Sequence, residues 1–177
     1  MARRIGSRPL PSAPRSRRRG MKIVVATDGS RGGRAAVRFA AGLARKVESA
    51  SVEILVVGTL RRDAILGVSG APFPVLVLPE MERRERRAAE SILARADREI
   101  SARGVVVRRR FLAPHDLAPV AEVVAREAGR LRADLVVVGS QGRSALPGLV
   151  LGSVALKLMH RCPCPVVVVH PRRRSKV

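Results

Sequence analysis

Short, uninterrupted apolar runs alternate along this chain with longer segments in which apolar and charged residues are mixed. A continuous apolar run is typical of a strand that is covered on both faces, as in a parallel sheet. Four runs predict such strands: Ile23–Ala26, Ile54–Val57, Leu135–Val138 and Val166–Val169. A fifth predicted strand, Val105–Leu112, contains three successive arginines, which favours a position at the edge of the sheet.

The segments between these runs have apolar residues every three or four positions, as on one face of a helix. Ser30 and Pro119 are typical of helix starts, and Gly104 and Pro163 of helix ends. The order β-α-β-α-β-α-β-α-β predicts an α/β fold with one doubly wound sheet of five parallel strands and helices on both faces. We expect the strand order 3-2-1-4-5. The Gly- and Pro-containing segment Leu60–Leu78 is predicted to be a loop.

Much of the positive charge lies at the two ends of the chain. The formal net charge is +21 over 177 residues, and residues 1–20 contain seven arginines and no acidic residue. Residues 171–177 add three arginines and one lysine, again without an acid. We therefore predict a disordered basic leader over 1–20, one domain over 21–170 and a basic tail over 171–177. The leader has no apolar segment of the kind found in secretory signals, and Met21 as the functional start is a hypothesis.

The cysteines and the apolar content favour a cytoplasmic protein. Cys162 and Cys164 are separated only by a proline, so that a disulfide between them would be strained. A soft-metal site that includes His160 is an alternative, but free buried thiols are the favoured interpretation because no Cys or His cluster has zinc-site spacing. No apolar stretch reaches the roughly 18 residues of a membrane span.

Polar and glycine residues follow the first and the fourth predicted strands, as Thr27-Asp28-Gly29 and Gly139-Ser140-Gln141-Gly142. In the order 3-2-1-4-5 these strands are neighbours that meet at the switch point, where open parallel sheets bind ligands. Gly152-Ser153 then begins the last predicted helix, whose first turn has free N–H groups and the positive end of the helix dipole. The pattern indicates an anion site. A Walker A loop and a dinucleotide fingerprint are both absent.

The spacing of these glycines resembles the signature of the ATP-binding branch of the universal stress protein family. It reads Gly139, two residues, Gly142, nine residues, then Gly152-Ser153. The opening Lys22-Ile-Val-Val-Ala-Thr-Asp28 and the closing Cys164-Pro-Val-Val-Val-Val are also similar to segments of that family. The resemblance covers about residues 21–170.

This resemblance implies an ATP site in which each matching residue has a role. The residues that would border adenosine are Ala26, Thr27, Asp28 and, through its backbone, Val57. The residues that would line the ribose and hold the phosphates are Val138, Gly139, Gly142, Gly152, Ser153 and Val154. Two readings of Arg143 stay open: it adds charge to the site or points into solvent. Magnesium could accompany the phosphates. The one candidate carboxylate ligand in these segments is Asp28, which the resemblance instead places beside the adenosine.

Two segments depart from the family pattern. Val57 is not preceded by the histidine that many members have, and the segment after Leu112 lacks the usual Gly-x-Pro. These departures leave the phosphate motif unchanged.

The function that the resemblance implies is a cytoplasmic ATP-binding regulator of the stress response, with an unidentified protein partner and a homodimer formed through Val166–Val169. We expect little or no hydrolysis, because no nucleophile–base pair, metal triad or pair of catalytic carboxylates is visible. A slow ATPase or nucleotide-transferring enzyme on the same fold is one alternative. A nucleic-acid-associated protein acting through its arginine-rich tails is another.

Overall fold

The computed structural model describes residues 20–59, 78–101, 104–113, 118–143 and 151–171. Strands and helices alternate along these ranges as the sequence predicts. They are β1 (Lys22–Ala26), α1 (Arg31–Ala44), β2 (Ser51–Val57), α2 (Leu78–Ser101), β3 (Val106–Leu112), α3 (Val120–Leu131), β4 (Leu135–Gly139), α4 (Ser153–Arg161) and β5 (Val166–Val169). Three predicted segments lie outside the described residues: the leader before Gly20, the tail beyond Pro171, and the loop before Leu78 at the start of α2.

The strands form one parallel sheet in the order β3-β2-β1-β4-β5, which confirms the predicted order. Ala26 at the end of β1 pairs with Leu55 of β2 on one side and with Val138 of β4 on the other. The chain runs outward from β1 in both directions, so the switch point lies between β1 and β4. The arginine-containing strand β3 is at one edge, as predicted, and β5 is at the other.

The helices cover both faces of the sheet. Val25 faces a core cluster that includes residues of α1 and α2, whereas its neighbour Val24 faces a cluster with residues of α3 and α4. Both valines are fully buried. Successive side chains of a strand point to opposite faces, so a strand covered on both sides needs apolar residues throughout, which explains the continuous runs.

Local signals in the sequence match the ends of the helices. The Ser30 hydroxyl accepts a hydrogen bond from the Gly33 N–H at 3.0 Å and so caps α1. Gly104 has a φ of +71°, a conformation that suits glycine, just beyond α2. Pro119 precedes α3 as its N-cap residue. Within the described residues, no helix is both long and apolar enough to cross a membrane.

One charged residue interrupts the core of the sheet, and the apolar pattern did not predict it. Glu53 lies in the middle of β2, only 4% exposed, and forms an ion pair with Arg110 of β3. Arg110 is also 3.6 Å from Glu127 of α3, which in turn contacts Arg130 at 2.6 Å. Arg109 points the other way and pairs with Asp97 of α2 at 3.4 Å. The arginines of β3 therefore tie the edge strand to helices on both faces.

Candidate functional site

The chain segments that leave β1 and β4 meet at the carboxyl edge of the sheet, and Asp28 joins them. Its Oδ1 accepts a hydrogen bond from the Ser30 N–H at 2.9 Å, within the β1–α1 turn. Its Oδ2 accepts one from the Arg143 N–H at 2.8 Å, across the switch point. The carboxylate is half-buried and holds the two segments together.

The side chain of Arg143 folds back onto the same residue. Its Nε donates to the backbone oxygen of Asp28 at 2.8 Å, and one terminal nitrogen of the guanidinium donates to that oxygen as well. Arg143 remains exposed, so its guanidinium lies at the mouth of the crevice. The side chain thus both contacts Asp28 and is open to solvent, and its role toward a ligand stays a prediction.

Three glycines allow the first turn of α1 to lie directly against the end of β4. A Cβ atom at Gly139 would lie 2.4 Å from the carbonyl carbon of Gly32, and one at Gly32 would lie 2.1 Å from the Gln141 oxygen. A Cβ at Gly33 would lie 2.5 Å from the Thr27 hydroxyl. Sequence reasoning did not identify Gly32 and Gly33 as part of the site. Two consecutive glycines at the start of a helix were the available signal, since glycine is unfavourable there unless space demands it.

The other two glycines of the motif, Gly142 and Gly152, lie next to the contact between α1 and the end of β4. A Cβ at Gly142 would be 2.9 Å from Oδ2 of Asp28, and a Cβ at Gly152 would be 3.9 Å from the Gly142 nitrogen. The Gly152 N–H donates to the Ser140 oxygen at 2.6 Å, which fixes the start of α4 beside the exit of β4. Gly152 is the N-cap residue of α4 and supplies no capping side chain. The helix thus presents its first turn to this edge without a side-chain cap.

Ser140 contributes a buried hydroxyl that sequence reasoning also overlooked. The residue is only 1% exposed, and its Oγ has no hydrogen-bond partner. A buried polar atom without a partner costs roughly 1–3 kcal/mol. Its position, directly after β4 and beside the start of α4, was the only signal available, because a serine after a strand is common in turns.

The remaining predicted residues lie along the same edge. Thr27 is buried; its N–H donates to the Leu55 oxygen at 3.0 Å, and its hydroxyl accepts from the Gly29 N–H at 3.2 Å. Val57 ends β2, one strand away from β1. Ser153 is exposed and Val154 half-buried at the start of α4. The predicted residues thus lie around one crevice at this edge. Val57 on β2 and Gly152 before α4 are at its two ends.

Charge at the crevice is mainly positive. Arg143 lies over Asp28, and one terminal nitrogen of Arg34 donates to the Gly29 oxygen at 2.6 Å. Within the described ranges, no group of three or more His, Cys, Asp or Glu side chains is placed to hold a metal ion. The arrangement therefore suits an anionic ligand, bound through N–H groups, a helix terminus and guanidinium groups.

The fold is that of a doubly wound α/β protein with a crevice at its switch point, where such sheets bind ligands. The model of the family described as "Universal stress protein family" matches residues 21–170. The chain belongs to the universal stress protein family, which confirms the resemblance seen in the sequence.

Individual members show the extent of the similarity. The universal stress protein YxiE of Bacillus subtilis is 31% identical over 84% of this chain and 97% of its own length. A solved structure of the protein MJ0577 has a TM-score of 0.69 at 20% identity and covers 88% of this chain and 98% of its own. The universal stress protein of Archaeoglobus fulgidus in complex with dAMP has a TM-score of 0.59 at 21% identity, over 84% and 96%. At these identities the two structures show that the fold is shared.

Proposed function

We propose that this protein is a cytoplasmic regulator that binds ATP at the crevice between β1 and β4 and responds to stress through its nucleotide state. The observation that carries this proposal is the convergence of Asp28, Gly142 and Gly152. Asp28 comes from the turn after β1 and the two glycines from the motif, and Gly142 lies against both Asp28 and Gly152. An adenine nucleotide, dAMP, occupies the related protein of Archaeoglobus fulgidus.

In the proposed complex the phosphates lie at the start of α4. Two features support this position: the helix begins without a side-chain cap, and Gly142 and Gly152 leave its first turn open to close approach. The hydroxyl of Ser153, which is exposed, adds a donor, and the guanidinium of Arg143 adds positive charge. N–H groups at a helix start and the dipole end favour an anion there.

The adenosine then lies toward the ends of β1 and β2. Ala26, Thr27 and Asp28 border it on one side, and the backbone at Val57 meets the adenine from the neighbouring strand. Val138 and Gly139 line the ribose from β4. The order β2-β1-β4 supports this arrangement, because it places these strand ends side by side.

We further propose that the protein holds ATP and hydrolyses little of it. Both carboxylate oxygens of Asp28 already accept backbone N–H groups, which leaves this carboxylate poorly suited to act as a general base. Among the described residues, no group of three or more His, Cys, Asp or Glu side chains is placed to hold a metal ion. A magnesium ion would therefore be held mainly through the phosphates. A slow ATPase is the competing function, and a magnesium-dependent single-turnover assay distinguishes it from a protein that only binds ATP.

The proposed homodimer uses β5. This edge strand is formed by four half-buried valines, so its exposed side could pair with a second copy. Leu156 and Met159 of α4, the helix that leads to β5, are 48% and 49% exposed. They would extend an apolar interface beyond the strand itself.

Calorimetric titration of the purified chain with ATP tests the proposal. Gly142→Ala places a methyl group against Asp28 and should weaken ATP binding. Gly42→Ala is the matched control, because a Cβ at Gly42 meets nothing within 4 Å and should leave affinity unchanged. No heat of binding in the unmodified chain would overturn the proposal. A magnesium-dependent single-turnover rate well above background, lost in Gly142→Ala, would instead identify an ATPase.

A further inference from the structure

The two cysteines lie side by side at the end of the sheet opposite the crevice. Cys162 follows α4 as its C-cap residue, and Cys164 lies two residues before β5. Their Sγ atoms are 3.7 Å apart, and both side chains are half-buried thiols rather than a disulfide. The sequence favoured free, buried thiols, and in the structure both cysteines are free but partly open to solvent.

Contacts on either side hold this short segment in place. The Cys162 N–H donates to the Leu158 oxygen at 2.9 Å, the last contact of α4. At the other end, the Pro165 oxygen accepts from the Val136 N–H of β4 at 3.0 Å. Pro163 fixes one backbone dihedral between the two thiols. Since both ends are anchored and the link is stiff, the sulfurs have little freedom to separate.

Burial and the local charge disfavour free thiolates at this site. Val136 pairs with Val166, so Asp134 and Cys164, each two residues earlier, lie level with each other just before neighbouring strands. Burial, followed by the contact with Cys162 and the negative charge of Asp134, raises the pKa of Cys164 to about 12. A monovalent cation bound by both sulfurs would replace two protons by one positive charge, which offsets part of the negative charge of the two thiolates.

The geometry limits the kind of ion. In the part of the chain that the structure describes, no third His, Cys, Asp or Glu side chain is placed to complete a metal site. Structural zinc requires four ligands. Soft cations that thiolates select, above all Cu(I), are compatible with a site that offers two sulfurs.

We infer that Cys162 and Cys164 form a dithiol site that binds one soft monovalent cation of the Cu(I) class. Binding forms two S–Cu(I) bonds and releases two protons, with no change of oxidation state. The site lies at the amino end of β5, away from the nucleotide crevice, so it stands independently of the proposed ATP binding.

Anaerobic titration of the reduced full-length chain with Cu(I), in competition with a chromophoric Cu(I) chelator, tests this inference. We expect one tightly bound ion per chain. Cys162→Ser and Cys164→Ser should each weaken binding by more than about 100-fold, because each removes a direct ligand, whereas loss of an outer contact alone costs 10- to 100-fold. Equal affinity in either single variant and the unmodified chain would overturn the dithiol site.

The pH dependence supplies a test that needs no variant. In acid solution the affinity of a two-thiol site should rise by about two logarithmic units per pH unit, because each coordinating thiol loses its proton on binding. A slope near one would indicate binding by a single sulfur and would contradict the inference. ATP affinity measured with and without Cu(I) shows separately whether the crevice binds ATP, so that a failure of either proposal can be recognised on its own.

Discussion

At the scale of single residues, Asp28 is the centre of the candidate site. Three donors of Arg143 reach it, one to its carboxylate and two to its backbone oxygen, and Ser30 supplies a fourth from the other side. An aspartate after a strand could be expected to begin a turn, and it does so here. The structure adds that the same carboxylate also fixes the segment following β4, 115 residues away in the sequence.

Replacement of Arg143 tests whether its charge serves the ligand. Arg143→Ala removes the guanidinium but keeps the backbone N–H that Asp28 accepts. We expect ATP affinity to fall about tenfold, or roughly 1.4 kcal/mol, because a positive group beside the phosphates is lost. Calorimetry at low and high salt measures this. Arg143→Lys should retain part of the affinity, and unchanged affinity in Arg143→Ala would mean that the side chain serves the loop alone.

Gly139 and Gly42 form a pair of glycines with opposite expected effects on stability. At Gly139 an alanine methyl would overlap the backbone of α1, so Gly139→Ala should lower the free energy of unfolding by about 1–3 kcal/mol. At Gly42, within α1 and open on its side, alanine should raise it by up to about 1 kcal/mol. Urea unfolding of both variants checks the signs, and a neutral Gly139→Ala would mean that α1 can move away from β4.

At the scale of elements, the ion pairs of β3 explain how a strand with three arginines joins the sheet. Arg110 reaches Glu53 of β2, and Glu127 links the same cluster to α3. The sequence predicted an edge strand from the polarity of these arginines, which was correct. It did not reveal the buried carboxylate, because the partners lie 57 positions apart and only the sheet register brings them together.

Arg110→Met should destabilise the protein by about 3 kcal/mol, because it leaves Glu53 buried beside fewer positive charges. The double variant Glu53→Met with Arg110→Met should recover most of that loss, since no uncompensated charge remains. A double-mutant cycle in urea measures the difference. Purely additive effects of the two substitutions would show that the pair contributes no coupling.

The pH dependence of stability should reveal Glu127. The hydrogen bond from Arg130, more than the nearby charges, lowers the pKa of Glu127 below its ordinary value of 4.5. A carboxyl with a lowered folded-state pKa stabilises the fold above the unfolded-state pKa, and this contribution is lost as the pH falls through the folded-state value. Glu127→Gln should therefore be less stable than the unmodified protein by about 1 kcal/mol near pH 7. The gap should close as the pH falls from 4.5 through the lowered folded-state pKa of Glu127; a gap that persists at more acidic pH would point to packing instead.

At the scale of the whole molecule, the alternation of strands and helices could be predicted from the hydrophobic pattern, and the edge position of β3 from its arginines. Each central strand is covered twice and needs apolar residues throughout, and short connections allow few arrangements. The crevice was predictable as far as Asp28 and Gly142, because strand ends meet there. Gly32 and the Ser140 hydroxyl were not, since their roles arise from contacts between elements that no local pattern records.

The exposed edge at β5 leads to a prediction about assembly. If two copies pair through β5 and the adjoining face of α4, Met159→Lys should shift the protein from dimer to monomer in sedimentation velocity, because a charge would have to be buried at the interface. Met159 is 49% exposed, and Val106→Lys is the matched control at the opposite edge, where Val106 is 65% exposed. Circular dichroism verifies that both variants are folded. A dimer that survives Met159→Lys would place the interface elsewhere.

The packing of α1 against β4 distinguishes two kinds of residue within the glycine motif: those that the fold requires and those that only a ligand would require. Gly139 is required by the backbone of Gly32, whether or not a nucleotide is present. Ser153 is exposed and has no such structural duty. A related protein that has lost nucleotide binding could therefore replace Ser153 without harm to its fold, but it would still need Gly139. The glycine that ends β4 is therefore explained by the fold alone, and the serine that begins α4 is the better indicator of whether a relative binds a nucleotide there.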